Sequence, residues 1–259
     1  MSGEIETAAE HDEEVPESSS SLPEMSLMEH LTELRARLIV SVASIVLTAI
    51  GAWFFADDIY RLLTRPVVEL LPPDADRLAF LSLTEPFVLY LKVAGLAGLF
   101  LASPVVIYQA WMFVAPGLYG NEKRYALPIV GASALCFLLG GLFGYVILLP
   151  VMAEFLLGLG AEFRQVLTVN SLFGFLVRTL LGGALIFEWP IVVLCLARLE
   201  ILTARGMLKN FGYAVVLIFV IAAVVTPTPD MATQTILAVP MLGLYLLGIV
   251  IAWAVAPRH

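Results

Sequence analysis

The sequence predicts an all-α integral membrane protein with six transmembrane helices. Of its 259 residues, 60% are hydrophobic and only 14% are charged, and the mean hydropathy is +0.94. Apolar runs recur along the chain at lengths close to the roughly 20 residues that a helix needs to cross about 30 Å of hydrocarbon. A chain of this composition requires lipid as its solvent.

Six apolar runs are the candidate spans. They cover residues 38–55, 87–114, 126–150, 171–197, 211–226 and 233–255. The fifth run forms a helix of only about 24 Å, at 1.5 Å per residue, which is shorter than the hydrocarbon layer. We therefore expect the fifth helix to be shielded beside the sixth.

The amino-terminal segment differs in composition from the rest of the chain. The net charge is −8, and the first 24 residues contain eight acidic residues and no Lys or Arg. Such a segment buries too little apolar surface to offset the entropy cost of ordering. We expect residues 1–25 to be a disordered acidic tail, residues 26–255 to form the transmembrane domain, and residues 256–259 to be a short carboxy-terminal tail.

The basic residues predict which side of the membrane each terminus occupies. An even number of spans places both termini on one side, which then carries eight Lys and Arg residues against four on the other. Because cytoplasmic loops are enriched in basic residues, this bias predicts that both termini lie in the cytoplasm. The remaining two bases, Lys92 and Arg178, lie within spans.

The residue types needed for common intramembrane chemistry do not occur within the spans. The histidines are His11, His30 and His259, outside the spans, and no span contains an aspartate. The cysteines, Cys136 and Cys195, have no metal-binding spacing and lie in apolar runs. We therefore expect no enzymatic activity, no metal, no cofactor and no nucleic acid partner.

Two carboxylates near helix termini are candidates for recognition, and each has a simpler explanation. Glu33 and Arg37 are four residues apart on one helix and are able to form an exposed pair worth a few tenths of a kcal/mol. Glu122 begins a helix after the break at Pro116, where an acid complements the helix dipole.

The most unusual charge within the spans is Glu188. Pro190 follows it and loosens the backbone hydrogen bonding of that helix. A carboxylate at this depth faces a polar cavity, contacts a partner or is protonated. One alternative function is a proton- or ion-coupled small-molecule transporter that uses Glu188, Arg178 and Lys92. The internal repeats typical of many such transporters are not apparent in the sequence.

In the third candidate span, Gly140 and Gly144 are separated by three residues. This spacing is typical of helices that pack closely in membranes. It is common, so it predicts a helix contact and no particular function.

Four short motifs follow one another along the chain. They are residues 30–38 (HLTELRARL), 104–122 (PVVIYQAWMFVAPGLYGNE), 187–190 (FEWP) and 226–234 (TPTPDMATQ). In this order they resemble the TatC family of twin-arginine translocase subunits, and the likeness covers residues 26–255. It implies a concave, glove-like bundle of six helices, with the termini in the cytoplasm and short fifth and sixth helices. Many relatives have a Thr-Pro-Pro-Asp run where this chain has one residue more, which leaves open whether Thr226 or Thr228 matches the family's polar position.

The resemblance also implies a function. The TatC family provides the core receptor subunit that binds twin-arginine signal peptides at the cytoplasmic face. With TatA-type and TatB-type single-span partners, and as a homo-oligomer within the receptor complex, it exports folded proteins by using the protonmotive force. The expected location is the cytoplasmic (inner) membrane of a prokaryote.

The resemblance assigns arginine recognition to Glu33 and Glu122, with Arg35, Phe113 and Leu118 in the same binding surface. A carboxylate accepts two parallel hydrogen bonds from a guanidinium, a geometry that lysine cannot reproduce. Recognition of paired arginines over paired lysines follows from this difference.

Other residues receive roles by the same resemblance. Glu188 is implied as the polar residue within the membrane, facing the concave groove. The remaining assignments are partner docking for Tyr145, Thr233 and Gln234, and a structural or capping role for Pro66, Pro116 and Asp230.

Overall fold

A computed structural model describes residues 27–71, 78–114, 123–160, 162, 166–226 and 230–255. Within these residues the chain is helical, apart from its connections and an isolated β-bridge, which confirms the all-α prediction. Both expected tails, residues 1–25 and 256–259, lie outside the described residues.

The described residues form ten α-helices. In chain order they are α1 (Leu27–Trp53), α2 (Ala56–Val68), α3 (Glu85–Val114), α4 (Lys123–Phe143), α5 (Leu149–Leu159), α6 (Val169–Ile186), α7 (Trp189–Arg198), α8 (Ala204–Lys209), α9 (Phe211–Val225) and α10 (Met231–Val255). A π-helical turn, Gly144–Leu148, joins α4 to α5, so that these two helices form one continuous rod.

Within the described part of the chain, five helical segments are long and apolar enough to cross a membrane: Met28–Trp53, Glu85–Phe113, Leu127–Leu159, Val169–Arg198 and Met231–Val255. The expected fifth span, α9, has 15 residues, as its short apolar run predicted. The expectation of a short sixth helix is wrong, because α10 has 25 residues. It begins at Met231 and continues through Pro240, in agreement with the apolar run at residues 233–255.

Two names describe the ends of the bundle below. The N-terminal side is the end at which α1 begins, and the opposite side is the end at which α1 finishes. Because successive spans alternate in direction, α3 and α6 both begin on the opposite side. The helices α2 and α5 also lie against each other there.

Helix α1 is attached to the bundle through α3. The hydroxyl of Thr48 donates a 2.8 Å hydrogen bond to the carbonyl of Gly98. At Gly98 a Cβ atom would lie 2.7 Å from the backbone nitrogen of Ala49, so only glycine permits this approach. Much of the remaining surface of α1 is apolar and exposed, as for Leu47, which is 72% exposed.

Glycines also form the crossing of α4 and α6. A Cβ atom at Gly140 would lie 2.5 Å from the carbonyl oxygen of Gly183, and one at Gly144 would lie 2.9 Å from that of Thr179. Small residues allow helix backbones to approach in a membrane, where dispersion contacts replace the hydrophobic effect. The close packing predicted from the spacing of Gly140 and Gly144 is confirmed.

The fourth span breaks between α6 and α7. Pro190 has no N–H to donate to the carbonyl of Ile186, four residues earlier. The chain turns at Glu188, whose carbonyl accepts hydrogen bonds of 3.1 Å from the N–H groups of both Ile191 and Val192. The proline therefore places Glu188 at a helix junction instead of within a regular helix.

On the opposite side, two connections are joined by backbone hydrogen bonds. The N–H of Ala79 donates to the carbonyl of Leu167, and the N–H of Val169 donates to the carbonyl of Ala79, each at 2.9 Å. Beneath this bridge lies a buried apolar cluster that includes Val67 of α2 and Val93 of α3. The first and second connections on that side therefore form one layer over the bundle.

Candidate functional site

Glu33 and Arg37 form an ion pair on the N-terminal side. Arg37 Nε donates a 2.9 Å hydrogen bond to Glu33 Oε1, and Arg37 Nη2 donates to the same oxygen. The spacing of four residues predicted such a pair, but not its environment. Only 21% of the Glu33 side chain and 20% of the Arg37 side chain are exposed, so this is not a freely solvated surface pair.

The start of α1 is held against the end of α3 by two further contacts. Arg37 Nη1 donates a 3.4 Å hydrogen bond to Oε1 of Gln109. The rings of His30 and Phe113 stack, with centroids 4.4 Å apart and an angle of 23° between their planes. Both contacts join the first motif of the resemblance to the second and locate Glu33 at the junction of the two helices.

The second carboxylate oxygen of Glu33 has a different environment. Oε2 is buried and accepts no hydrogen bond from the residues that the structure describes. A buried acceptor without a donor costs about 1 to 3 kcal/mol, so an N–H group that reached this oxygen after a local shift of the helix ends would recover that energy. The pair thus consists of one oxygen oriented by Arg37 and one buried oxygen with no donor among the described residues.

The other residues of the expected recognition surface are only partly described. Arg35 is exposed and forms no hydrogen bond or ion pair within the described ranges. Glu122, Leu118 and Pro116 lie outside the described residues, so the distance between the two expected arginine-binding carboxylates stays untested.

A second polar site lies within the membrane-spanning region. The indole Nε1 of Trp111 donates a 3.0 Å hydrogen bond to Oγ of Ser133, and that hydroxyl donates to Oε2 of Glu188. Ser133 is 1% exposed. The chain of hydrogen bonds joins α3, α4 and the junction of α6 with α7.

Glu188 also has one oxygen without a donor. Its Oε1 is buried and unbonded among the described residues, and the same holds for the neighbouring Trp189 Nε1. The apolar residues packed nearest this region include Ile191 and Cys136. A carboxylate in such surroundings has capacity for one more polar contact, as expected of a functional group within a membrane.

Sequence reasoning did not select three of the contact residues, Gln109, Trp111 and Ser133. Gln109 lies inside the second motif, so its position was a usable signal. Serine occurs often in membrane helices and usually bonds its own backbone. Nothing in the apolar sequence around Ser133 indicates that its hydroxyl points to a carboxylate 55 residues away.

On the opposite side, Tyr145 lies in the π-helical turn and contacts α2. Its hydroxyl donates a 2.6 Å hydrogen bond to the carbonyl of Leu62. Pro66, which is half-buried within α2, lacks the N–H that would otherwise bond this carbonyl. The expected structural role of Pro66 therefore has a physical basis, and the expected docking role of Tyr145 stays a prediction.

Asp230 caps the start of α10. Its Oδ1 accepts a 2.8 Å hydrogen bond from the N–H of Thr233, and its Oδ2 accepts one of 2.6 Å from the Thr233 hydroxyl. This geometry is that of an N-cap. Thr233 is 0% exposed and Gln234 is half-buried. Thr226 is buried, while Thr228 lies outside the described residues.

The charged residues of the transporter alternative do not form one site. Lys92 and Arg178 line a groove between α3 and α6. Glu188 is not among the residues that line it, and it bonds Ser133 of α4 instead. The structure thus separates the carboxylate from both cations.

The helices and the two carboxylate sites define a polytopic α-helical membrane protein with a polar group placed inside the bilayer region. The sequence model of the family described as "Sec-independent protein translocase protein (TatC)" matches residues 29–240. The chain belongs to this family, which confirms the resemblance drawn from the four motifs.

Individual relatives agree with this membership. The "Sec-independent protein translocase protein TatC" of Koribacter versatilis (strain Ellin345) is 41% identical over 244 residues, which cover 93% of this chain and 90% of the relative. The protein of the same name from Carboxydothermus hydrogenoformans is 35% identical over 236 residues, covering 91% of this chain and 96% of the relative.

The fold is also similar to a solved structure. The "Crystal Structure of Twin Arginine Translocase Receptor- TatC" superimposes with a TM-score of 0.76 at 34% identity and covers 88% of this chain and 99% of that chain. The family is thus one of prokaryotic membrane proteins named for protein transport and not for catalysis. It gives no support to the small-molecule transporter alternative.

Proposed function

We propose that this chain is the receptor subunit of a twin-arginine translocation system and binds paired arginines at its N-terminal side, in the cytoplasm. The observation that carries the proposal is the Glu33 carboxylate, which is half-buried, oriented through Oε1 by Arg37 and without a donor for Oε2 among the described residues. The similar solved structure is named as a twin-arginine translocase receptor, which supports the same function.

The chemistry favours a guanidinium as the ligand. Both lysine and arginine donate charge-assisted N–H bonds to a carboxylate, so the difference lies in geometry. The planar arginine fork presents several N–H groups in fixed directions and reaches acceptors on two residues at once, whereas a lysine ammonium is a compact point charge. Glu122 supplies the second carboxylate in this proposal, and Arg35, Phe113 and Leu118 complete the peptide surface.

The intramembrane site has a separate role in the proposal. Glu188 accepts a hydrogen bond through Oε1 from a polar group of a TatA-type or TatB-type partner span or of the signal peptide. Gln234 and Tyr145 belong to the partner-docking surface. Thr233 is buried, so it acts by shaping the start of α10 and not by direct contact. The assembled complex, which contains several copies of this chain, uses the protonmotive force to export folded proteins across the inner membrane.

Site-directed photocrosslinking tests the receptor function. Probes are placed at Leu34, one residue after Glu33, and next to Glu122, and the purified chain is mixed with a precursor bearing Arg-Arg or Lys-Lys. We expect strong crosslinks to the Arg-Arg precursor only. Replacing one carboxylate with alanine should cost about 1 to 3 kcal/mol of affinity, as for a hydrogen bond to a charged group. Equal crosslinking of both precursors, unchanged by Glu33→Ala with Glu122→Ala, would refute the proposal.

The division of roles between the two sites has its own test. Glu188→Ala should disturb assembly with the single-span partners or transport, while the Arg-Arg precursor still crosslinks near Glu33. Loss of that first crosslink in the Glu188→Ala variant would place Glu188 in the recognition site and contradict the division.

A further inference from the structure

A groove of about 450 Å³ lies between α3 and α6 and plays no part in the proposed receptor function. Its polar lining comes from Lys92, Asn170 and Arg178. Its remaining lining residues are apolar or glycine, among them Leu99 and Val177. The groove is thus mainly apolar and carries two cationic side chains and one amide side chain.

The two cations lie closer to the opposite side of the bundle than to its N-terminal side. Lys92 is seven residues after the start of α3 at Glu85, and Arg178 is nine residues after the start of α6 at Val169. At 1.5 Å per residue these depths are about 10 and 14 Å from the opposite side. Because helical side chains lean toward the N-terminus of their helix, both long basic side chains extend toward the lipid headgroups of the opposite side.

The charges of the groove are not balanced by the described part of the protein. Lys92 Nζ donates a 2.9 Å hydrogen bond to Oδ1 of Asn170, which is neutral. Arg178 is exposed and forms no hydrogen bond or ion pair with any described residue. Among the described residues, no Asp or Glu lines the groove. Because cations in the hydrocarbon region are costly unless paired, this arrangement favours an anionic ligand.

The apolar part of the groove is open beside its glycines. A Cβ atom added at Gly95 or Gly174 would have no neighbour within 4 Å. These glycines differ from Gly140 and Gly98, which are needed for close helix contacts. Gly174 therefore faces the open groove and is not needed for a close contact between helices.

We propose that this groove binds an anionic phospholipid from the leaflet on the opposite side. Lys92 and Arg178 donate hydrogen bonds to the phosphate, and an acyl chain lies along Gly174, Val177 and Leu99. A phosphate offers several charged oxygens, so it accepts from both cations at once. Both side chains extend toward the phosphates of the opposite side, which favours a lipid over a carboxylate on a partner helix.

Native mass spectrometry of the full-length chain in detergent tests the proposal, with phosphatidylglycerol and phosphatidylcholine as probes. We expect the chain to bind phosphatidylglycerol more tightly. Lys92→Gln with Arg178→Gln should weaken that binding about tenfold or more, the effect of losing one charge-assisted hydrogen bond or more. The matched control is Arg61→Gln, which removes an exposed cation paired with Asp57 at 2.8 Å and should change nothing.

A variant that keeps both charges tests the groove itself. An added Cβ atom at Gly174 meets nothing within 4 Å, so Gly174→Leu should fold, and its side chain should occupy the groove and weaken phosphatidylglycerol binding. Arg178→Lys keeps the charge and should retain most of the binding.

Three outcomes would overturn the proposal. The first is equal binding of both lipids, and the second is phosphatidylglycerol binding that neither the charge variants nor Gly174→Leu changes. The third is a photoprobe at Val177 that, in native membranes, attaches to a single-span partner and not to lipid, because that result would make the groove a protein-docking site.

Discussion

The hydroxyl of Tyr145 donates a 2.6 Å hydrogen bond to the carbonyl that Pro66 leaves without its helical donor, that of Leu62. The proline removes one N–H from α2, and a side chain 83 residues away from Leu62 replaces it. A similar arrangement occurs in α3, where Ser103 donates 2.7 Å to the carbonyl of Phe100, four residues before Pro104. Membrane proteins tolerate prolines in helices where side chains satisfy the freed carbonyls.

Tyr145→Phe should destabilise the fold by about 1 kcal/mol, because it leaves the Leu62 carbonyl unbonded. In a Pro66→Ala background the loss should be smaller, since the substituted residue supplies the missing backbone N–H. Thermal unfolding in detergent and hydrogen exchange of α2 measure both effects. Tyr213→Phe is the control, because Tyr213 is 80% exposed. Equal losses of stability in the two backgrounds would show that Tyr145 and Pro66 act independently. If Tyr145→Phe instead reduced partner binding while hydrogen exchange of α2 stayed unchanged, the docking role of Tyr145 would be favoured.

Ser133→Ala should lower stability by about 1 to 2 kcal/mol, because it leaves both Trp111 Nε1 and Glu188 Oε2 without their common partner. Thermal unfolding of the purified protein measures the loss. Ser44→Ala is a matched control, since the Ser44 hydroxyl donates only to the carbonyl of Ser41 within α1. If both variants lose the same stability, the chain through Ser133 has no special role.

Gly140→Ala should destabilise the fold by about 1 to 3 kcal/mol, because the added Cβ atom would lie 2.5 Å from the carbonyl of Gly183. Gly131→Ala on the same helix meets nothing within 4 Å and should be neutral or stabilising by up to about 1 kcal/mol. The two variants carry the same substitution, so their difference in thermal stability isolates the helix crossing. A neutral Gly140→Ala would contradict the close contact of α4 with α6.

Glu33→Gln should weaken binding of an Arg-Arg signal peptide by about tenfold to a hundredfold, the loss expected for one or two hydrogen bonds to a charged group. Binding of a Lys-Lys peptide, already weak, should change little. Fluorescence anisotropy of labelled peptides measures both. Glu154→Gln removes an exposed carboxylate near the end of α5 on the opposite side and serves as the control. A Glu33→Gln variant that binds like the unaltered protein would show that the Glu33–Arg37 pair is only structural.

Local sequence patterns predicted the interactions that lie within one helix. The spacing of Glu33 and Arg37 allowed an ion pair because residues four apart share a helix face. The position of Pro190 indicated a loosened backbone at Glu188, where the helix does break. The error at the sixth helix came from the family resemblance and not from the local sequence, because the apolar run at residues 233–255 agrees with α10.

Contacts between helices were not predictable in the same way. The bond from Ser133 to Glu188 joins residues 55 apart, and that from Tyr145 to Leu62 joins residues 83 apart. Each bond requires that two helices be rotated about their own axes so that the two residues face each other. A membrane helix that is apolar on all sides does not show in its sequence which face packs against a neighbour.

The sequence by itself determined that the chain is an all-α membrane protein of the TatC family, because the lengths of apolar runs and the order of four motifs are properties of the chain alone. The packing of the helices accounts for three further features. The Glu33–Arg37 pair is largely buried against α3, Glu188 bonds Ser133, and Lys92 and Arg178 share one groove without a balancing carboxylate among the described residues. The difference arises because helix formation depends on neighbours in sequence, whereas burial and hydrogen bonding of a side chain depend on which face of its helix meets another helix.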